Sequence, residues 1–130
     1  MRVNTQSITV AAPPEKVLQF VADPANLPEW AVGFAQEIRH EDGQWIVTSP
    51  QGDVGLRVDV DRARGIVDYA MSPGPGVEVT AFSRVLPNEH GSEYVFTQFQ
   101  PPATTDEDFD GQIEALGQEL QVLQGLLEPR

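Results

Sequence analysis

The side chains best suited to metal or nucleophilic chemistry are scarce in this sequence. It has no cysteine and two histidines: His40 precedes the turn-forming stretch EDG, and His90 lies within the turn-forming stretch PNEHG. It contains no HExxH motif, no calcium-loop spacing of aspartates and no G-x-S-x-G motif around a nucleophilic serine. Phosphate-binding glycine patterns are also absent. We therefore expect no metal and no cofactor.

General acid–base chemistry needs only carboxylates and hydroxyls, and the sequence has both. Tyr69 is a candidate proton donor, and Glu37 is a candidate base if its strand turns it inward. Asp68, Arg84 and Glu93 are alternatives that would form a polar network across neighbouring strands. Each of these groups is more simply explained as a surface or structural charge. A carboxylate would have to be enclosed to gain the raised pKa of a base, and so no catalytic residue is assigned.

Composition and charge narrow the class of protein. Hydrophobic residues make up 40% and charged residues 22% of the 130 residues, which is typical of one globular domain spanning 1–130. The net charge of −12 makes nucleic acid an unfavourable partner and disfavours an anionic membrane surface. No apolar run is long enough to span a membrane, and because the stretch MRVNTQSITV lacks the apolar core of a secretory signal, none is expected. With cysteine absent, a cytoplasmic location is expected.

The order of elements must position any site, and most of it is strand. Residues 3–11 alternate as a first strand, and Pro13 and Pro14 open a helix that Pro24 ends. The following PANLPEW predicts a single helical turn. Recognisable turn residues then separate six candidate strands, which favours an antiparallel meander. These strands are 33–40, 44–49, 53–60, 65–71, 77–86 and 92–100.

The last segment has a helical period. Its apolar residues recur at steps of three and four and predict one amphipathic helix: Phe109, Ile113, Leu116, Leu120, Leu123 and Leu127. Gly117 interrupts this helix and indicates either close approach of the sheet or a ligand, or a tolerated surface position. The helix must bury its stripe against a curved sheet, and so the fold class is α+β.

The order of elements, with the text ITVAAPPEKVLQFVADPANLPEW, resembles the START-like superfamily, also called SRPBCC or helix-grip proteins. The hairpin RVLPNEHGSEYVFTQF and the closing helix extend the resemblance over almost the whole chain. The nearest branch is similar to bacterial polyketide cyclase/dehydrase-like proteins. The resemblance implies a seven-stranded antiparallel sheet curved around the C-terminal helix, with two short helices after the first strand. It also implies a cavity between sheet and helix, where Trp30 would either close one end or plug the core.

Turn geometry predicts which side chains face that cavity. Tight turns at PNEHG and SPGPG place Arg84 opposite Tyr94, and Tyr69 opposite Val79. The more apolar face is then inward: Val67, Tyr69, Met71, Val77, Val79, Ala81, Ser83, Val95, Thr97 and Phe99. The outward face would expose the aromatic patch of Phe82, Tyr94 and Phe96. Such a patch indicates an interface, for example in a homodimer, unless one strand is slipped by one residue.

The predicted ligand site combines these positions with the long helix and the early turn. It comprises Trp30, Phe34, Leu56, Tyr69, Met71, Val79, Ala81, Thr97, Phe99, Phe109, Ile113, Leu116 and Gly117. A mostly apolar pocket with a few hydroxyls fits a hydrophobic, aromatic, polyketide-like or lipid-like small molecule, although a filled core is the alternative. The first hypothesis is therefore a small-molecule binding protein. The others are a polyketide cyclase/aromatase-like enzyme and an interaction module that uses exposed aromatics.

Overall fold

The computed structural model describes residues 1–129 and contains one seven-stranded antiparallel sheet with a long C-terminal helix. The strands are β1 Val3–Val10, β2 Glu37–Glu41, β3 Gln44–Ser49, β4 Gly52–Asp61, β5 Ile66–Gly74, β6 Val77–Asn88 and β7 Gly91–Phe99. The helices are α1 Pro14–Ala22, α2 Leu27–Trp30 and α3 Asp106–Leu127, and a 3-10 turn covers Pro24–Asn26. The predicted α+β helix-grip fold is confirmed.

The sheet runs in the order β1-β7-β6-β5-β4-β3-β2. Consecutive hairpins build β2 to β7, and β1 joins the far edge by pairing with β7. The segment from α1 to α2 spans the sheet between its two edge strands. Because α1 and α3 lie on the same side, the sheet has an inner face toward them and an outer face away from them.

Prolines mark both ends of α1, and a side-chain cap marks the start of α3. Pro14 stands at the first position of α1, where a missing N–H costs nothing, and Pro24 follows its end. The Thr105 side chain caps α3 by accepting the Asp108 N–H at 3.1 Å. Three acidic residues follow in the first turn, where the helix dipole favours negative charge.

The core joins the apolar stripe of α3 to the inner face of the sheet. Leu116, Leu120, Leu123 and Leu127 are buried in one cluster with residues of α1, α2 and the central strands. Close approach of α3 to β1 occurs at Gly117, where a Cβ atom would lie 3.2 Å from Gln6 Oε1. The Gln6 amide donates to the Ile113 carbonyl at 2.9 Å and so fixes the two elements together.

One strand boundary and one register differ from the sequence prediction. The strand predicted from residue 33 begins at Glu37, because residues 31–36 form a turn in which the Ala31 carbonyl accepts two N–H groups. In the β6–β7 hairpin, Asn88 pairs with Gly91, so the loop is the two residues Glu89 and His90. Glu89 adopts φ +54°, the left-handed conformation that such a short turn requires.

This turn shifts β7 by one residue from the prediction. Arg84 lies opposite Val95, and Val85 lies opposite Tyr94. A one-residue slip reverses every side chain of the strand, so Tyr94 and Phe96 face inward and Val95, Thr97 and Phe99 face outward. The predicted β5–β6 register is wrong by two residues, since Tyr69 lies opposite Ala81, which leaves the faces of β6 unchanged.

Candidate functional site

The predicted site residues separate into an inner group and an outer pair. Those of β4 to β6 lie on the inner face: Leu56, Tyr69, Met71, Val79 and Ala81. Phe109, Ile113, Leu116 and Gly117 lie on α3, while Trp30 ends α2 and Phe34 follows it. Thr97 and Phe99 lie on the outer face because of the β7 register, where Thr97 hydrogen-bonds Thr5 and Phe99 packs against Phe82. Their places on the inner face are taken by Phe96 and Gln98.

Three buried hydroxyls connect the inner face to α1. Tyr69 Oη donates to the main-chain oxygen of Val21 at 2.6 Å and lies 3.3 Å from Tyr94 Oη. Tyr94 Oη donates to Ser83 Oγ at 2.9 Å, and Ser83 Oγ donates to the Val67 carbonyl. Each hydroxyl has one proton and each proton already has an acceptor. This network holds the end of α1 on the sheet, and no hydroxyl proton is left for a ligand.

The same burial keeps both phenols neutral. Burial raises the pKa of Tyr94 to about 12 and raises the pKa of Tyr69 well above its usual value, because a phenolate would be desolvated there. The candidate donor Tyr69 is 4% exposed and donates to a main-chain carbonyl. Its observed role is therefore structural.

Trp30 fills space beside this network. Its side chain is 2% exposed and meets the Tyr94 ring edge-on, with 6.1 Å between ring centroids. Within residues 1–129 the indole N–H has no hydrogen-bond partner. Of the two alternatives for Trp30, this packing favours a plug between α2 and β7.

A pocket lies at the end of the β2–β3 hairpin. β3 pairs with β4 only as far as Trp45 and Leu56, so β4 continues beyond it and leaves a notch. The notch has a volume of about 480 Å³, and among the predicted site residues only Leu56 lines it. Its lining is Ala22, Pro24, Gly43, Gln44, Trp45, Leu56, Arg57, Val58, Ala70, Ser72 and Glu78.

The apolar and polar groups of this pocket occupy different sides. Trp45, Leu56 and Val58 project from the inner face, while Arg57 projects from the outer face and pairs with Asp59 at 3.3 Å. Glu78 lies 3.7 Å from the Arg57 guanidinium and completes the polar rim. The pocket therefore joins an apolar wall on the inner side of β4 to charged groups on its outer side.

Several inner-face apolar residues are only half-buried. They are Met71, Val79 and Phe96, and Phe34 of the 31–36 turn and Ile113 of α3 are likewise half-buried. Phe96 stacks obliquely on Tyr69, with 6.0 Å between ring centroids. The inner face is therefore incompletely covered between the 31–36 turn and the first half of α3.

One functional candidate was missed at the sequence level. Glu119 of α3 is 7% exposed and accepts the Gly33 N–H at 3.0 Å. Burial raises its pKa to about 7, against the opposing effect of the Gly33 and Phe34 N–H groups. The sequence does indicate that Glu119 faces the core, because it stands three residues after Leu116 and four before Leu123, inside the apolar stripe.

The other acid–base candidates are not enclosed. Glu37 is exposed on edge strand β2, and Arg84 is exposed and donates to the Arg64 carbonyl at 3.2 Å. Glu93 accepts the Thr9 hydroxyl at 2.6 Å, so the proposed network with Asp68 does not form. Burial raises the pKa of Asp68, which lies on the outer face opposite Phe82.

Metal ligands do not come together in the part of the chain that the structure describes. No three histidine, aspartate or glutamate side chains in residues 1–129 are close enough to hold an ion. The His40 ring packs edge-on against Trp45, with 4.8 Å between ring centroids. Over the same residues, no helix is long and apolar enough to cross a membrane.

Solved structures with the same fold are numerous. XoxI from Bacillus cereus is 20% identical with a TM-score of 0.77, covering 98% of this chain and 96% of its own. The Aha1 dimer from Colwellia psychrerythraea is 18% identical with a TM-score of 0.77, covering 98% and 97%. The Zhui aromatase/cyclase from Streptomyces sp. R1128 is 19% identical with a TM-score of 0.75, covering 97% and 93%. At these identities the likeness shows the fold alone.

Sequence comparison identifies the family. No curated protein sequence matches the chain. The family profile described as "Polyketide cyclase / dehydrase and lipid transport" matches residues 1–122, which include every strand and most of α3. The chain therefore belongs to the polyketide cyclase/dehydrase and lipid transport family of the START-like, or SRPBCC, superfamily.

Proposed function

We propose that this protein binds a hydrophobic or aromatic small molecule, of polyketide-like or lipid-like character, between the hairpin notch and the inner face of the sheet. The observation that carries the proposal is the notch of about 480 Å³ with Trp45, Leu56 and Val58 as its apolar wall. This volume lies within the range of about 300–1,000 Å³ typical of ligand pockets. The half-buried residues Phe96 and Met71 extend the apolar surface inward.

The net charge of −12 favours a neutral or weakly charged ligand over a polyanion. Arg57 is the one cation among the residues lining the notch, and it is already paired with Asp59 and Glu78. The ligand would therefore bury apolar area against Trp45, Leu56 and Val58 and meet polar side chains at the rim. The domain acts as a single unit over 1–130 in this proposal, and the cytoplasmic location remains a prediction.

The test fills the notch. Val58→Trp places an indole in the pocket, and Val60→Trp is the matched control, two residues further along the same side of β4 and outside the pocket. Binding of naphthol and of a medium-chain fatty acid is measured by calorimetry. We expect Val58→Trp to weaken binding at least about tenfold, or 1.4 kcal/mol, and Val60→Trp to leave it unchanged. Equal binding by both variants and the wild-type protein would refute the site.

The catalytic alternative, a polyketide cyclase/aromatase-like enzyme, has weaker support. The Tyr69 proton is donated to Val21, Glu37 is exposed, and the Glu119 carboxylate already binds Gly33. Binding is therefore proposed without turnover. Cyclisation of a polyketide mimic by the wild-type protein would support the enzyme in its place.

A second candidate property is self-association through the outer face. Phe82 is 47% exposed and packs edge-on against Phe99 beside a shallow groove of about 300 Å³. Asp68 and Arg84 flank Phe82 with opposite charges, so this outer patch, formed by Ile66, Asp68, Phe82, Arg84, Val95, Thr97 and Phe99, is complementary to a second copy of itself. The proposed partner is therefore another copy of this chain.

A further inference from the structure

Glu119 is the one charged side chain that is buried among residues 1–129. It lies on the core-facing side of α3, beside the buried Leu116, Leu120 and Leu123. A lone carboxylate in such a place costs free energy unless it is paired or neutral. Its presence in the apolar stripe therefore calls for a role that a leucine would not fill.

Glu119 holds the segment of residues 31–36, here called the 31–36 loop. Its Oε2 atom accepts the Gly33 N–H at 3.0 Å, and Gly33 also approaches Ala115 closely enough that an added Cβ would lie 3.3 Å from the Ala115 methyl. The loop follows directly from Trp30 and carries Phe34, both of which pack against the core. One side chain thus ties α3 to the segment that covers the interior.

Within residues 1–129, no side chain of opposite charge forms an ion pair with this carboxylate. The 31–36 loop, AVGFAQ, contains no titratable side chain, and the one such residue of α2, Glu29, is exposed. β1 turns uncharged residues toward α3: Asn4, Gln6, Ile8 and Val10. On α3 itself Glu114 is exposed, and no ion pair in the described residues includes Glu119. Its ionisation is therefore opposed chiefly by burial.

We propose that Glu119 is a proton-operated latch: the neutral carboxyl keeps the 31–36 loop closed over the interior, and its ionisation opens the loop. Opening returns the carboxylate to water and uncovers the region between Trp30, Phe34 and α3. The use of the latch to admit a ligand to the inner face rests on the proposed function. The latch itself does not depend on any ligand.

The direction in which pH shifts the loop follows from the difference between the pKa of Glu119 in the closed and in the open state. With the loop closed, burial raises the pKa of Glu119 to about 7, whereas a solvated glutamate has its usual value of 4.5. Low pH therefore favours the closed loop. The equilibrium constant for opening the loop rises as pH increases from about 4.5 to 7. The rise is up to about 300-fold if the carboxylate is fully solvated in the open state, and above about pH 7 the constant no longer changes.

The experiment is amide hydrogen exchange across this pH range, read by NMR at Gly33 and corrected for intrinsic rates. We expect the protection of Gly33 to fall steeply between pH 4.5 and 7, and that of Tyr94 in β7 to change much less. Glu119→Gln, a neutral mimic of the protonated acid, should remove the pH dependence of Gly33 protection. Glu114→Gln, on the same helix and exposed, should retain it.

Three results would overturn the latch. Protection of Gly33 could be constant with pH in the wild-type protein, it could rise with pH, or Glu114→Gln could remove the dependence as completely as Glu119→Gln does. If Glu119→Gln does not fold, direct NMR titration of the wild-type carboxyl decides, since a pKa in the normal range refutes the proposal. If the latch is refuted, the expected outcome of the ligand-binding test with Val58→Trp and Val60→Trp does not change. The two proposals can therefore fail separately.

Discussion

Tyr69 contributes to this fold through one proton. Its hydroxyl donates to the Val21 carbonyl in the last turn of α1, where helix carbonyls have no partner within the helix. Tyr94 and Ser83 continue the network to Val67, a strand carbonyl. The Tyr69 hydroxyl therefore satisfies a helix-end carbonyl that the packing of α1 on the sheet would otherwise bury unpaired.

Removal of the Tyr69 hydroxyl should lower the stability of the protein. Tyr69→Phe leaves the Val21 carbonyl without its donor, and we expect the free energy of unfolding to fall by about 1–3 kcal/mol. Tyr94→Phe should cost less, because Ser83 still donates to Val67 and no carbonyl is abandoned. Urea denaturation of both variants measures the difference. An equal or larger loss for Tyr94→Phe would show that the Val21 contact is not the stabilising one.

The elements explain how much the sequence could predict. The apolar period of α3 and the turn residues between strands are local signals, and the predicted helix and strands match the structure closely. The β7 register depends on one loop conformation, with Glu89 at φ +54°, which composition does not reveal. That single difference exchanged Val95, Thr97 and Phe99 for Tyr94, Phe96 and Gln98 on the inner face.

The buried carboxylate was harder to predict for a different reason. Periodicity places Glu119 in the stripe of α3, but only the 31–36 loop, distant in sequence, determines that it is covered. The same holds for the notch, which depends on β4 extending beyond β3. Local patterns therefore predict elements, whereas a site built from separate elements requires their three-dimensional arrangement.

The contact between α3 and β1 gives an element-scale prediction. A Cβ atom at Gly111 would meet nothing within 4 Å, so Gly111→Ala should gain helix propensity and stabilise by about 0.5–1 kcal/mol. At Gly117 the new methyl would lie 3.2 Å from Gln6 Oε1, and Gln6 is held by Asn4 and Ile113. We expect little or no gain from Gly117→Ala in thermal melts. A gain equal to that of Gly111→Ala would mean that the Gln6 side chain moves away from the new methyl group without loss of stability.

At the scale of the whole molecule, charge is unevenly distributed. The outward side chains of β1 are uncharged: Val3, Thr5, Ser7 and Thr9. The outer face of β2 and β4 is instead dense in charge, with ion pairs joining Arg39 to Asp53 and Arg57 to Asp59. Two copies that each carry −12 repel least where the outer face has little net charge, as in the outer patch, in which Asp68 and Arg84 offset each other.

This asymmetry predicts salt-dependent self-association. Screening reduces the repulsion between two anionic copies, so the dimer fraction should rise with ionic strength in sedimentation velocity. Phe82→Lys puts a charge in the centre of the outer patch and should reduce the dimer fraction at every salt concentration, with little change in stability. Leu126→Lys, at a residue of similar exposure on α3, is the control and should behave as wild type. A wild-type protein that stays monomeric at high salt, or equal effects of the two substitutions, would exclude the outer patch as the contact, because its apolar centre would then contribute nothing to association.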